Sequence, residues 1–130
     1  MTLKVRAAVL WGTDEPWKVQ EIEVDPPKSG EVLVNWKVAG MCHSDEHLVT
    51  GDMVPSKEAL EMMGVDSFFP IIGGHEGAGE VVEVGPGVTS VAVGDHVVLG
   101  FIPACGKCPS CSRGRSNLCD YGALDRKSVV

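Results

Sequence analysis

From Glu31 to Val38 polar and apolar residues trade places at nearly every step. EVLVNWKV sets Val32, Val34, Trp36 and Val38 on one face and Glu31, Leu33, Asn35 and Lys37 on the other. A period of two belongs to a half-buried strand. WKVQEIEV, GEVVEVG and GDHVVLG alternate in the same way, separated by turn chemistry at Asp25-Pro26-Pro27, Gly85-Pro86-Gly87 and Gly94-Asp95. Short strands punctuated by glycine and proline predict a mainly β fold, a barrel or a sandwich. There is no βαβ rhythm and no internal repeat.

Two helical patches interrupt the strands. After Cys42, Ser44 is placed to cap a short helix with Asp45, Glu46 and His47 in its first turn, where acids suit the helix dipole. In PSKEALEMMG, Ser56 is the expected cap, Ala59, Leu60 and Met63 share one face, and Gly64 stops the helix. A loop helix closing over its own core is the plainer reading of this second patch. A lid or partner surface is the functional one.

Composition narrows the class. A chain of 130 residues fits one domain and can bury a core without disulfide staples. Eleven basic against 18 acidic side chains leave a formal charge of −7, with no basic cluster. That argues against an electrostatic grip on nucleic acid or an anionic membrane. The apolar run Ala7 to Trp11 is too short for a signal-peptide core, and no later stretch could span a bilayer. The expectation is a soluble, cytoplasmic protein.

Cysteine placement is the strongest chemical signal. Cys105, Cys108, Cys111 and Cys119 fall within one short window, and Cys42 makes the total odd. A secreted disulfide framework would spread its cysteines and pair them all. The spacing C-x2-C-x2-C-x7-C lets one loop aim successive thiolates at a point and return with a fourth. Four thiolates satisfy tetrahedral Zn²⁺ and leave no open position, which makes such a site structural. Pro103, Gly106, Pro109 and Gly114 supply the bends of a lobe with little core of its own, so its folding should be coupled to the metal. An iron–sulfur run shares the first gaps but continues with a three-residue gap and Cys-Pro, whereas here Asp120 follows Cys119.

Cys42 remains. A lone cysteine beside histidines is usually an inert core residue. PIIGGHEGAGE changes the balance, because His75 and Glu76 stand in a glycine-rich approach to a strand, where backbone and ligand can come close. His96 within GDHVV reads as a strand residue. Asp45 and Glu46 can be plain first-turn acids, and His47 a helix-surface histidine.

Taken in order, GMCHSDEHLVTG, GGHEGAGEVVEVGPGV, GDHVV and CGKCPSCSRGRSNLC resemble the catalytic domain of the medium-chain zinc-dependent alcohol dehydrogenases, from about Leu3 to Gly122. HLVTG, GGHEGAG and FIPACGKC are especially similar to the nitrosoaniline-dependent nicotinoprotein branch, which keeps its NAD bound through turnover. The resemblance implies a GroES-like, partly open β-barrel over residues 1–122, with a structural-zinc lobe at about 101–120. Cys42 and His75 match ligands of a catalytic zinc, and Glu76 the acid that can approach it. Ser44 matches the hydroxyl that takes the alcohol proton, and His47 the histidine that passes it on through the coenzyme ribose. His43 matches a residue facing the coenzyme pyrophosphate, and Asp45 the carboxylate that orients the zinc-bound histidine. Cys105, Cys108, Cys111 and Cys119 match the ligands of the structural zinc. A small alcohol or aldehyde substrate, NAD(P) and a homo-oligomer are implied with them.

Parts of that family pattern are missing. There is no sixth cysteine to complete a catalytic zinc, and no G-x-G-x-x-G within a βαβ unit to hold NAD. The chain resembles the front third of such an enzyme, with residues 123–130 unmatched and the NAD-binding domain absent. It is expected to be inactive by itself. The alternative is a non-catalytic, zinc-stabilised GroES-like binding or assembly module.

Overall fold

The computed structural model describes residues 2–62, 64–101 and 104–122. Met63, Pro103 and the tail at 123–130 lie outside the described residues. Two compact units are present, Met1–Leu99 and Gly100–Val130.

In the first unit the strands are β1 (Leu3–Leu10), β2 (Lys18–Val24), β3 (Val32–Ala39), β4 (Ile71–Ile72), β5 (Gly77–Val84) and β6 (His96–Val98), with helices α1 (His43–Thr50) and α2 (Lys57–Met62) between β3 and β4. The expected mainly β architecture is present. Among the described residues the strands form two separate antiparallel sheets, ordered β2-β1-β4 and β3-β5-β6, and do not close into a barrel. Val9, Leu10 and Val81 are the buried apolar residues of this unit.

β5 explains its own composition. Gly77, Gly79 and Val81 are buried along one face. A Cβ on Gly77 would meet the Trp36 ring at 2.8 Å, and one on Gly79 would meet Asn35 O at 2.5 Å and Val34 Cγ1 at 2.9 Å. The strand is thin where β3 presses large side chains onto it.

β3 departs from the single apolar face that its alternation predicts. Trp36 stands opposite Gly79, but Val38 stands opposite Ala78, with register shifts between Leu33 and Val34 and again between Trp36 and Val38. Cross-strand partners share a face, so the second shift turns Val38 away from the side that holds Trp36. Val38 is accordingly 65% exposed.

The helices follow their punctuation with one correction. Ser56 caps α2, its Oγ accepting from Ala59 N at 3.3 Å. Ser44 does not cap α1. The N-cap is Cys42, with extended backbone and no side-chain cap bond, and Ser44 is the second helical residue. Its hydroxyl is engaged elsewhere. Gly51 ends α1 in the left-handed conformation at φ 86°, which favours glycine.

The antiparallel pairing of β3 with β5 extends one step past Val32 and Val84 to Gly85, whose N–H donates to Glu31 O at 2.8 Å. A Cβ there would collide with the Lys28 carbonyl and sit 2.9 Å from Glu31 O. Neither obstacle is a side chain that can swing away. Gly85→Ala should therefore lower the unfolding free energy by about 2 kcal/mol or more. At Gly94, φ is +94° with nothing within 4 Å, so Gly94→Ala should cost only the left-handed strain, about 1 kcal/mol. Urea midpoints of the two variants should fall in that order.

Candidate metal centres and their setting

The first cluster is built by strand pairing. Ala39 at the end of β3 faces Gly77 at the start of β5, and Gly40 N donates to Glu76 O at 2.9 Å. The residue three past Ala39 is Cys42, and the two residues before Gly77 are His75 and Glu76. Antiparallel pairing thus brings together residues more than thirty positions apart in sequence. Cys42 Sγ, a His75 ring nitrogen and a Glu76 carboxylate oxygen lie within 4.8 Å of one another.

The approach to β5 is held on both sides. Trp17 lies against Gly73, where a Cβ would meet its ring at 2.8 Å, and Trp36 lies against Gly77. Gly74 between them has φ 93°. The run GGHEG is therefore a backbone seated between two indoles, with His75 and Glu76 as its projecting side chains.

α1 supplies the surroundings. Ser44 Oγ donates to Cys42 Sγ at 3.1 Å and lies 3.1 Å from His75 Nε2. Asp45 Oδ1 is buried without a hydrogen bond and approaches His75 Nδ1 at 3.3 Å. The His75 ring thus has a hydroxyl at one nitrogen and a carboxylate at the other. On the same helix His43 and His47, four residues apart, stack with centroids 4.7 Å apart and planes 5° from parallel.

Asp52 and Thr50 were not singled out by the sequence. Asp52 Oδ2 lies 3.2 Å from His47 Nδ1 and accepts from Thr50 Oγ1 at 2.6 Å. The Thr50 hydroxyl, and then His47, hold the Asp52 carboxyl below its ordinary range. Helical spacing could not reveal this contact, because the left-handed turn at Gly51 is what folds Asp52 back over the helix end.

The second cluster belongs to the second unit. Sulfurs of Cys105, Cys108, Cys111 and Cys119 lie within 4.8 Å of one another. Pro109 opens the short helix α3 (Pro109–Ser112), and Cys108 is its N-cap, its sulfur accepting from Cys111 N at 3.4 Å. Cys105 Sγ accepts from Lys107 N and Cys108 N, and Cys119 Sγ accepts from Cys105 N. Backbone N–H groups of Asp120 and Cys111 lower the Cys108 thiol to about 7. The N–H of Cys105 lowers Cys119. Burial, followed by the neighbouring sulfurs, pushes Cys111 up to about 12. Backbone dipoles thus favour thiolate at Cys108 and Cys119, while burial and the neighbouring sulfurs favour the protonated form of Cys111, a bias that a bound cation would offset.

Residues 28–130 match the alcohol dehydrogenase GroES-like domain. Alcohol dehydrogenase B of Mycobacterium tuberculosis is 54% identical over 121 residues, covering 93% of this chain and 29% of that protein. The NDMA-dependent alcohol dehydrogenase of Amycolatopsis methanolica is 52% identical with the same coverage. An alcohol dehydrogenase zinc-binding domain protein from Burkholderia ambifaria superposes with a TM-score of 0.79 at 33% identity, over 98% of this chain and 33% of that one. The chain thus spans about 29% of the length of these curated relatives. With paired strands delivering Cys42 beside His75 in the first unit, and a four-sulfur cluster in the second, the chain belongs to the alcohol dehydrogenase GroES-like domain family.

Proposed function

We propose that this chain carries the metal-binding and proton-handling part of a zinc-dependent dehydrogenase that oxidises an alcohol by hydride transfer to NAD(P). The observation that carries the reading is the convergence of Cys42, His75 and Glu76, with Ser44 between the first two and Asp45 behind the imidazole. The names of the relatives support the activity, and the NDMA-dependent relative supports the nicotinoprotein branch.

The donor set fits zinc. A thiolate, an imidazole and a carboxylate are all zinc ligands, and three protein donors leave room for a substrate oxygen. The Asp45 carboxylate at Nδ1 suits the buried partner that orients a metal-bound histidine and leaves Nε2 as the ligating atom. The lobe fits a closed, structural zinc through its four sulfurs.

A zinc held by Cys42 and His75 supplies Lewis acidity, which makes an alcohol hydroxyl easier to ionise. The chain's own residues then handle the proton. Ser44 Oγ, held beside both donors, takes it from the alcohol. His47 stands three residues further on the same helix face and passes it toward solvent, with its Nδ1 held by Asp52 so that Nε2 is the open nitrogen. His43, exposed and stacked on His47, is placed to meet the coenzyme pyrophosphate. Glu76 offers a carboxylate that can approach the metal.

A homo-oligomer and a cytoplasmic setting belong to the same reading. The first is supported by Val38 and Val98, uncovered at 65% and 80% exposure. The second is supported by the five free thiols. Among the described residues no helix is long and apolar enough to cross a membrane.

Metal analysis tests this directly. The zinc-saturated chain should hold two zinc ions, Cys42→Ser should hold one, and Cys108→Ser should lose the other together with the order of its lobe. A single zinc in the unaltered chain would favour the non-catalytic, zinc-stabilised module instead. Alcohol and NAD should give no hydride transfer with the 130-residue chain alone, and should give it once the remaining length of the relatives is supplied.

The Asp52 contact has a pH signature. Its folded-state pKa is lowered, so its contribution to stability is present above the ordinary carboxyl value and is lost as pH falls through the lower folded value. Followed by carbon NMR, the Asp52 carboxyl should titrate below about 3.9, and Thr50→Val should move it back up.

A further inference from the structure

Gly40 joins β3 to the Cys42 turn, and nothing in its backbone calls for glycine. Its φ is outside the left-handed region that other glycines of this chain occupy. Its N–H bond to Glu76 O is available to any residue except proline. What remains is space. A Cβ at Gly40 would collide with Glu76 Oε2 and lie 3.1 Å from Glu76 Cβ and 3.4 Å from Cδ. At Gly73 and Gly77 the missing side chain makes room for an indole, which is packing. At Gly40 it makes room for a carboxylate of the metal cluster.

We propose that Gly40 is a positioning residue, whose lack of a side chain lets the Glu76 carboxylate stand beside Cys42 and His75 as a cation ligand. The inference rests on reading that cluster as a cation site, and it says what keeps Glu76 within it. The physical asymmetry is plain. The colliding atom is the end of a flexible side chain, and Glu76 is exposed, so water is ready to receive its carboxylate. An added methyl group would therefore leave the strand pairing in place and turn the carboxylate outward. Loss of a single supporting interaction around a metal commonly costs 10- to 100-fold in affinity.

The test is a Co²⁺ titration of the chain after its lobe has been filled with one equivalent of zinc, read by absorbance of the second site. Gly40→Ala should weaken Co²⁺ binding by about 10-fold or more, and Glu76→Ala by a similar factor. The double variant should be no weaker than Glu76→Ala alone, because the group that Gly40 accommodates has already gone. Unchanged Co²⁺ affinity in Gly40→Ala would overturn the proposal, as would a further full loss in the double variant. Far-UV circular dichroism and retention of the lobe zinc report folding. If Gly40→Ala does not fold, recovery in the Gly40→Ala/Glu76→Ala pair supports the proposal, and failure to recover overturns it. If the unaltered chain binds no second cation, and Cys42→Ser is indistinguishable from it, the cation-site reading itself falls and this inference with it.

Discussion

The hydrogen-bonded pairing of β3 with β5 is the constraint on which the first unit's chemistry depends. It runs from Val32 opposite Val84 to Ala39 opposite Gly77, and it continues one step further through Gly40 and Glu76. Cys42 and His75 each hang just beyond the paired region. A ladder with two irregularities fixes how far beyond, because each register shift changes the count of residues consumed on one strand relative to the other. The same shifts that leave Val38 on an uncovered face also set the reach of the Cys42 turn.

The two clusters use the chain in different ways. In the lobe, four sulfurs come from one short stretch, and backbone N–H groups of that same stretch aim at them. Little tertiary structure is needed beyond the folding of a loop around its own donors. At Cys42 the donors arrive from a turn and a strand approach, and the buttressing groups arrive from a helix. Ser44 and Asp45 are adjacent in sequence, yet one addresses Cys42 and His75 Nε2 while the other addresses His75 Nδ1. Successive residues on a helix point about 100° apart, which is what allows one helical turn to reach both sides of an imidazole.

α1 also shows how one feature can serve packing and chemistry together. Its C-terminal glycine ends the helix, sits close to Thr13, and reverses the chain so that Asp52 meets His47. Asp14 N donates to Val49 O, tying the helix to the turn after β1. The histidine stack is thus anchored at one end by a carboxylate, on a helix that one backbone bond ties to the turn after β1.

Local chemistry was legible in the sequence. The four-cysteine spacing, the strand alternation of Val19 to Val24, the Ser56 cap and the glycine stop at Gly64 all act over a few residues, where periodicity and turn preference apply directly. Motif order made the partnership of Cys42 with His75 readable through resemblance, while the residues alone gave an isolated cysteine, usually an inert core residue, and a histidine in a glycine-rich approach to a strand. Tertiary structure decided the rest. Only the shifted register turned Val38 away from Trp36, only the geometry of Cys42 displaced Ser44 from the cap, and only the fold brought Asp52 to His47 and Glu76 against Gly40. Each of these depends on distances across strands or around a left-handed turn, and a one-dimensional pattern carries no measure of such distances.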